Sequence, residues 1–179
     1  MLQGKKIVLG VTGGIAVYKA VDLVSRMRKA GCEVRVVMTE HAQQFVTPLT
    51  FKEISGNAVA TSMWNANQEF NVEHIALANW ADAFLVAPAT ANILAKMACG
   101  IADDLLSTTL LAAQAPIVVC PAMNTGMYQN PATQENIAKL QERGVTVMPP
   151  AVGHLACGTS GPGRLPEPQQ IVEFMSAFF

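Results

Sequence analysis

Apolar stretches alternate along the chain with segments in which apolar residues recur three or four positions apart. Continuous apolar stretches predict buried strands, and the helical spacing predicts helices. The predicted strands cover residues 5–11, 33–39, 80–89, 116–122 and 145–150. The predicted long helices cover residues 17–31, 90–113, 131–144 and 167–179.

The remaining segments are rich in breakers or polar residues. Residues 40–56 predict short helices broken at Pro48 and Gly56, residues 57–72 are polar and irregular, and residues 151–166 predict a glycine-rich loop. Apolar strands separated by helices indicate a parallel sheet covered on both faces. The predicted fold is therefore α/β, a doubly wound, flavodoxin- or Rossmann-like three-layer sandwich formed as one domain over residues 1–179.

Three segments that follow predicted strands are the first candidates for a site. They are TGGIA at 12–16, APATAN at 87–92 and PAMN at 121–124. In a doubly wound sheet the ligand lies at the carboxyl ends of the strands. The small residues in these segments let the backbone approach a flat or anionic ligand.

Composition and charge narrow the classes of partner. Hydrophobic residues make up 51% of the chain and charged residues only 14%, against about 25% in a typical domain. Depletion of charge predicts surface buried in a homo-oligomer. The net charge of −1 and the lack of a basic cluster argue against nucleic-acid binding. Polar residues and Pro116 interrupt the apolar stretch 105–123, so we expect no membrane span and no signal peptide.

The four cysteines, Cys32, Cys99, Cys120 and Cys157, are widely spaced and form no CxxC pair. This spacing argues against a disulfide framework or a zinc site and fits a reducing cytoplasm.

The turn at residues 11–19, VTGGIAVYK, places backbone N–H groups at a helix start, which is an anion-binding arrangement. It lacks the G-x-G-x-x-G dinucleotide fingerprint, and Thr39 stands where NAD enzymes favour an acidic residue. A mononucleotide phosphate is therefore favoured over NAD. A tight turn that binds nothing is the alternative.

Other candidate residues each have a structural alternative. Thr90 and Asn92 could cap a helix or hold a polar ring or polyhydroxyl chain. His74 could be structural or catalytic. Cys157, within the glycine-rich segment 153–165, could supply a thiol proton, act as a nucleophile or simply pack as a small residue. The pair Asp103-Asp104 is typical of a helix start, and Arg164 is a candidate anion contact.

Three spaced motifs together resemble the homo-oligomeric flavin-containing cysteine decarboxylases over nearly the whole chain. PAMNTGMY at 121–128 is similar to the PxMNxxMW signature of that family, with Tyr128 in place of Trp. Residues 74–112 are similar to the stretch that runs from the active-site histidine into the flavin-binding strand and helix. GHLACGTSGPGR at 153–164 resembles the flap over the substrate.

The resemblance implies bound FMN in a homotrimer, or in a dodecamer of trimers, with the flavin near a subunit boundary. It implies that His74 lies beside the flavin, that Asn124 holds the substrate carboxylate and that Cys157 is the acid of the last step. Ala122, Met123 and Met127 would surround the substrate. The implied flavin-binding residues are Gly13, Gly14, Ile15, Ala16, Thr39, Phe45, Pro88, Ala89, Thr90, Ala91, Asn92 and Ser107.

The resemblance also implies the reaction. The substrate would be the small molecule 4′-phosphopantothenoylcysteine. Oxidation at the thiol side would permit loss of CO2, and reduction of the ene-thiol would give 4′-phosphopantetheine, in coenzyme A biosynthesis. Peptidyl-cysteine decarboxylases stop at the ene-thiol, and Cys157 points to enzymes that complete the reduction.

Two other functions stay open at this point, a flavin prenyltransferase of the same fold and a non-catalytic flavoprotein that regulates a partner. Many bacterial relatives carry a second, ligase domain. We therefore expect either a monofunctional enzyme or one half of a longer protein.

Overall fold

A parallel six-stranded sheet forms the centre of the protein. The computed structural model describes residues 2–64, 73–154, 158 and 160–179. The sheet strands are β1 (Lys6–Val11), β2 (Glu33–Met38), β3 (Val59–Ala60), β4 (Ala83–Ala89), β5 (Ile117–Pro121) and β6 (Thr146–Val147). Their order is β3-β2-β1-β4-β5-β6, and every neighbouring pair is parallel. The order reverses between β1 and β4, which opens a crevice at their carboxyl ends and confirms the doubly wound α/β prediction.

Helices cover both faces of the sheet. They are α1 (Val17–Lys29), α2 (Pro48–Ser55), α3 (Glu73–Trp80), α4 (Ala91–Cys99), α5 (Leu105–Ala112), α6 (Thr125–Gln129), α7 (Pro131–Glu142) and α8 (Pro168–Phe178). The core on one face contains residues of α1, α2 and α8, and the core on the other contains residues of α3, α4, α5 and α7. Strand β4 is buried along its whole length because both cores pack on it. Among the described residues, no helix has the length and apolar content needed to cross a membrane.

The helix predicted over residues 90–113 is in fact two helices. Gly100 ends α4 with φ of +70°, a left-handed conformation that favours glycine. The side chain of Asp104 then accepts a hydrogen bond from the Ser107 N–H at 2.8 Å and begins α5. The prediction that the two aspartates open a helix is therefore confirmed for Asp104, although the single long helix was wrong.

The glycine-rich loop predicted over residues 151–166 was also wrong. This segment contains two antiparallel strands, β7 (Ala151–His154) and β8 (Ser160–Arg164). The sequence of β8, SGPGR, has almost no intrinsic strand preference. Its extended form depends on pairing with β7 and on contacts with the segment after β5.

Candidate active site

A cleft of about 1060 Å³ lies at the carboxyl edge of the sheet. Its walls come from the segments after β1, β2, β4 and β5, from α4 and from the end of β8. Of the predicted binding residues, the following line it: Gly13, Gly14, Ile15, Ala16, Thr39, Pro88, Thr90, Ala91, Asn92, Ala122, Met123, Asn124 and Met127. The topology thus brings together three segments that are far apart in the sequence, as the strand-end rule predicts.

Thr12 joins the two strands that flank the crevice. Its buried hydroxyl donates a hydrogen bond to the Pro88 carbonyl oxygen at 2.7 Å and accepts one from the Thr90 N–H at 3.0 Å. The turn after β1 and the turn after β4 are therefore held in fixed register. Thr12 was not predicted as a site residue, because nothing in the local sequence shows that a threonine at one strand end reaches the backbone of another strand.

The two glycines that follow Thr12 have different roles. A Cβ added at Gly13 would lie 2.3 Å from the Cβ of His41 and 2.8 Å from its carbonyl carbon, so only glycine fits. At Gly14 the nearest atom to an added Cβ is 3.8 Å away, which is ordinary contact. Within the described chain, the N–H groups of residues 13–16 donate no hydrogen bond, and these residues line the cleft at the start of α1.

The end of β4 forms the wall opposite this turn. Thr90 is the N-cap of α4, and its hydroxyl oxygen accepts a hydrogen bond from the Ile93 N–H at 3.4 Å, so the capping alternative holds for Thr90. Asn92 lies in the first turn of α4 and lines the cleft without being the cap. The oxygen of the Thr90 hydroxyl is used by the cap, and its hydrogen stays available to a ligand.

Asn124 is held in a defined orientation by the local chain. It caps α6, and its Oδ1 accepts a hydrogen bond from the Gly126 N–H at 2.8 Å. Because the oxygen faces the backbone, the amide NH2 points away from that contact and serves as a hydrogen-bond donor. Met123 and Met127 flank Asn124 and give the cleft an apolar lining at this end.

Strand β8 lies directly on the segment that carries Asn124. The Met123 N–H donates a hydrogen bond to the Gly163 carbonyl oxygen at 2.9 Å. Gly163 has φ of +134°, and a Cβ added there would lie 2.2 Å from the Met123 carbonyl oxygen. A Cβ at Gly161 would lie 2.7 Å from Oγ1 of Thr125. Two glycines therefore let β8 approach as closely as it does.

One wall of the cleft carries a lysine held by two aspartates. Lys96 Nζ lies 2.6 Å from Asp103 Oδ1 and 2.9 Å from Asp104 Oδ2. Burial lowers the pKa of Lys96, but the hydrogen bonds and charges of the two aspartates outweigh burial and raise its pKa above the ordinary value. Burial likewise raises the pKa of Asp104, and the Ser107 N–H and Lys96 outweigh it, so that the pKa of Asp104 falls below its usual range.

The other wall carries two cations that share one carboxylate. Lys19 Nζ donates to Glu167 Oε1 at 2.9 Å and to the Leu165 carbonyl oxygen at 3.2 Å. Arg164 Nη2 donates to the same Glu167 oxygen at 2.7 Å. The hydrogen bond from Lys19, with the charges of Lys19 and Arg164, holds the pKa of Glu167 below its usual range. Lys19 and Lys96 were not predicted, because each reaches the cleft from a helix and not from a strand end.

Some of the residues predicted for the site do not line the cleft. Among the described residues, Phe45, Ala89, Ser107 and His74 are not part of the cleft lining. Ala89 is fully buried in β4, and the Ser107 hydroxyl donates to Asp104 Oδ1 at 2.9 Å within the helix cap. His74 is half-buried on α3, which packs against α5. Cys157 lies outside the described residues.

The sequence is similar to curated proteins of known role. It is 52% identical over 178 residues to the coenzyme A biosynthesis bifunctional protein CoaBC of Vibrio vulnificus, and 49% identical over 179 residues to CoaBC of Bacillus subtilis. The alignments cover 99% and 100% of this chain but only 44% of each relative. The chain therefore spans less than half the length of the curated relatives it matches.

Solved structures agree with the sequence comparison. A mutant PPC decarboxylase complexed with pantothenoylaminoethenethiol matches with a TM-score of 0.86 and 33% identity, covering 98% of both chains. The FMN-dependent cysteine decarboxylase SpaF matches with a TM-score of 0.81 and 31% identity, covering 99% of both chains. The flavoprotein family model matches residues 1–179. Together with the cleft at the switch point of the sheet, this full-length match shows that the chain belongs to the flavoprotein family.

Proposed function

We propose that this chain is an FMN-dependent decarboxylase that converts 4′-phosphopantothenoylcysteine to 4′-phosphopantetheine in the cytoplasm, within coenzyme A biosynthesis. The observation that carries the proposal is the cleft itself, where the turn after β1, the start of α4 and Asn124 meet. The names of the relatives support it, because CoaBC proteins serve coenzyme A biosynthesis and two structural neighbours are decarboxylases.

The cleft residues fit FMN in both shape and donor chemistry. Residues 13–16 line the cleft at a helix start and carry N–H groups that donate to no described residue, which suits a phosphate. Thr39 and Asn92 add uncharged polar groups of the kind that bind a polyhydroxyl chain or a ring edge. A volume of about 1060 Å³ suits a cofactor together with a small substrate. When bound, the flavin supplies reversible hydride transfer, which amino-acid side chains do not provide.

Asn124 would hold the substrate carboxylate. The cap on α6 fixes its oxygen, so its NH2 can donate to the carboxylate without adding a positive charge. A lysine or arginine would stabilise the charged ground state and oppose loss of neutral CO2. Met123 and Met127 would enclose the carboxylate in apolar surroundings, which favour the uncharged product.

Cys157 would donate the proton that completes the reduction. In the sequence it stands between β7 and β8, and β8 contacts the backbone of Met123 beside Asn124. We expect Cys157→Ser to accumulate the ene-thiol product and leave the flavin reduced. Full conversion to phosphopantetheine by this variant would contradict the assignment.

His74 would enter the site from a neighbouring copy in a homo-oligomer. It does not line the cleft of its own chain, and its neighbour Ile75 and Leu111 on α5 are exposed apolar residues. Co-expression of His74→Asn and Asn124→Asp chains tests this arrangement, because mixed oligomers would contain some sites with both native residues. Recovery of activity in the mixture supports shared sites, and activity no higher than that of either variant alone contradicts them.

The decisive experiment combines spectroscopy with product mass. The purified protein should be yellow, and with phosphopantothenoylcysteine it should release CO2 and form phosphopantetheine. Asn124→Asp should slow turnover, because repulsion between its carboxylate and that of the substrate raises the activation free energy by about 2–4 kcal/mol. Asn130→Asp is the matched control, because Asn130 caps α7 in the same way outside the cleft.

The same preparation separates the alternatives. Release of CO2 only from a peptide with a C-terminal cysteine would identify a peptidyl-cysteine decarboxylase. Formation of a prenylated flavin from dimethylallyl phosphate and reduced FMN would identify a flavin prenyltransferase. A colourless protein that does not bind FMN would contradict the whole proposal.

A further inference from the structure

The cations of the cleft differ in how far carboxylates neutralise them. Near α1 and α8, Lys19 and Arg164 share the carboxylate of Glu167, and Glu40 also lines the cleft. Near α4 and α5, Lys96 is held by two aspartates. An anion that enters the cleft is therefore attracted more strongly to Lys19 and Arg164 than to Lys96.

The Lys19 ammonium has capacity for a ligand. Its side chain is only 9% exposed and lies in the first turn of α1, close to the positive end of the helix. Two hydrogen bonds, to Glu167 and to the Leu165 carbonyl, account for two of its three donors within the described chain. The third donor is available on a residue that lines the cleft.

Glu167 is a weak competitor for these cations. One of its oxygens accepts from both Lys19 and Arg164, and its side chain is 53% exposed. Its pair with Arg164 is exposed on both sides, and ion pairs of that kind contribute little to stability. A phosphate monoester carries more charge and offers three oxygens, which suit the planar donors of an arginine.

We propose that Lys19 and Arg164 form a phosphate-monoester subsite at the side of the cleft beside α1, which Glu167 occupies until a phosphate displaces it. This inference rests on the proposed function, which supplies two such phosphates, that of FMN and that of the phosphopantothenoyl group. Because Arg164 belongs to β8, binding a phosphate would also tie this strand to α1.

Three variants test the subsite. Arg164→Gln removes one cation, Glu167→Gln removes the competing charge, and Arg26→Gln is the matched control. Arg26 is an exposed arginine of α1 that pairs with Asp22 at 2.8 Å and does not line the cleft.

Two ratios measure the preference for phosphate and identify its source. The first is the KM for pantothenoylcysteine divided by the KM for its phosphorylated form, and the second is the Kd for riboflavin divided by the Kd for FMN. In Arg164→Gln we expect one of these ratios to fall about tenfold or more, as for the loss of a charge-assisted hydrogen bond. The same ratio should rise in Glu167→Gln and stay at the wild-type value in Arg26→Gln.

The ratio that changes shows which phosphate is bound. If both ratios for Arg164→Gln equal those of the wild type, the proposal that Arg164 helps to bind a phosphate is wrong. If the wild type turns over neither substrate, the proposed function fails, and the flavin ratio alone then decides for or against the subsite.

Discussion

Replacing Gly163 by alanine should detach β8 from the segment that carries Asn124. The added Cβ would lie 2.2 Å from the Met123 carbonyl oxygen and 3.3 Å from its carbonyl carbon. These are backbone atoms, so no side-chain rotation relieves the clash. The Met123 segment is also held by the hydrogen bond from Ala122 N–H to the Ala89 carbonyl oxygen at 3.0 Å. We therefore expect β8 to move instead.

The free-energy cost of Gly163→Ala has two parts. Alanine at φ of +134° is strained by about 1–3 kcal/mol, because this region is almost confined to glycine. Loss of the 2.9 Å hydrogen bond between Met123 and Gly163 adds about 1 kcal/mol. Most of the cost falls on the contact between β8 and the Met123 segment, since the clash and the lost hydrogen bond both lie there.

Hydrogen exchange followed by mass spectrometry measures the effect. Amides of β7 and β8 should exchange about 30-fold faster or more in Gly163→Ala, which corresponds to about 2 kcal/mol or more. The kcat/KM for the substrate should also fall, because β8 contacts the segment that carries Asn124. Gly144→Ala is the control, since Gly144 has φ of +86° with no atom within 4 Å of an added Cβ. If the β8 amides of Gly163→Ala exchange as slowly as those of the wild type, the substitution does not detach β8 and the prediction is refuted.

Three further predictions concern buried groups. Thr12→Val leaves the Pro88 carbonyl and the Thr90 N–H without their hydrogen bonds to Thr12, so the free energy of unfolding in urea should fall by about 2 kcal/mol or more. An unchanged urea midpoint would count against this role of Thr12. Asp104→Asn keeps the helix cap but loses the ion pair with Lys96. Because folding lowers the pKa of Asp104, the Tm of the variant should lie below that of the wild type at neutral pH, and the difference should vanish as the pH falls below 3.8. A Tm difference that does not depend on pH would contradict the ion pair. Burial raises the pKa of the Cys32 and Cys120 thiols to about 11 and about 12, so iodoacetamide at neutral pH should label them only after unfolding, which peptide mass mapping would check.

The fold was predictable where burial alone determines the structure. Strands β1, β4 and β5 are continuous apolar stretches, since a parallel sheet covered on both faces demands them. The predicted strand at 145–150 shrinks to Thr146–Val147, and β3, with only two residues, was not predicted. Helix α3, EHIALANW, has no clear apolar face, so its periodicity gave no signal.

Most candidate residues at strand ends line the cleft, because the topology fixes where those ends meet. The charged residues of the cleft were harder to predict. Lys19 and Lys96 lie within helices, and only the packing of those helices beside the crevice brings their side chains to it. Ser107 shows the converse case, in which a residue singled out by resemblance has its hydroxyl within a local helix cap.

The two sides of the cleft differ in how firmly they are held. The proposed flavin side is built on buried strands, and the Thr12 hydrogen bonds and the close packing of Gly13 against His41 fix its shape. On the proposed substrate side, the described residues of β8 include one backbone hydrogen-bond partner of Met123 and two glycines that permit close approach, and the paired strand β7 is partly exposed. A wall held by few contacts opens at a small cost in free energy, whereas a wall built from core strands opens only at a large cost. This division suits the proposed enzyme, which would retain its flavin through many turnovers while substrate and product exchange past β7 and β8.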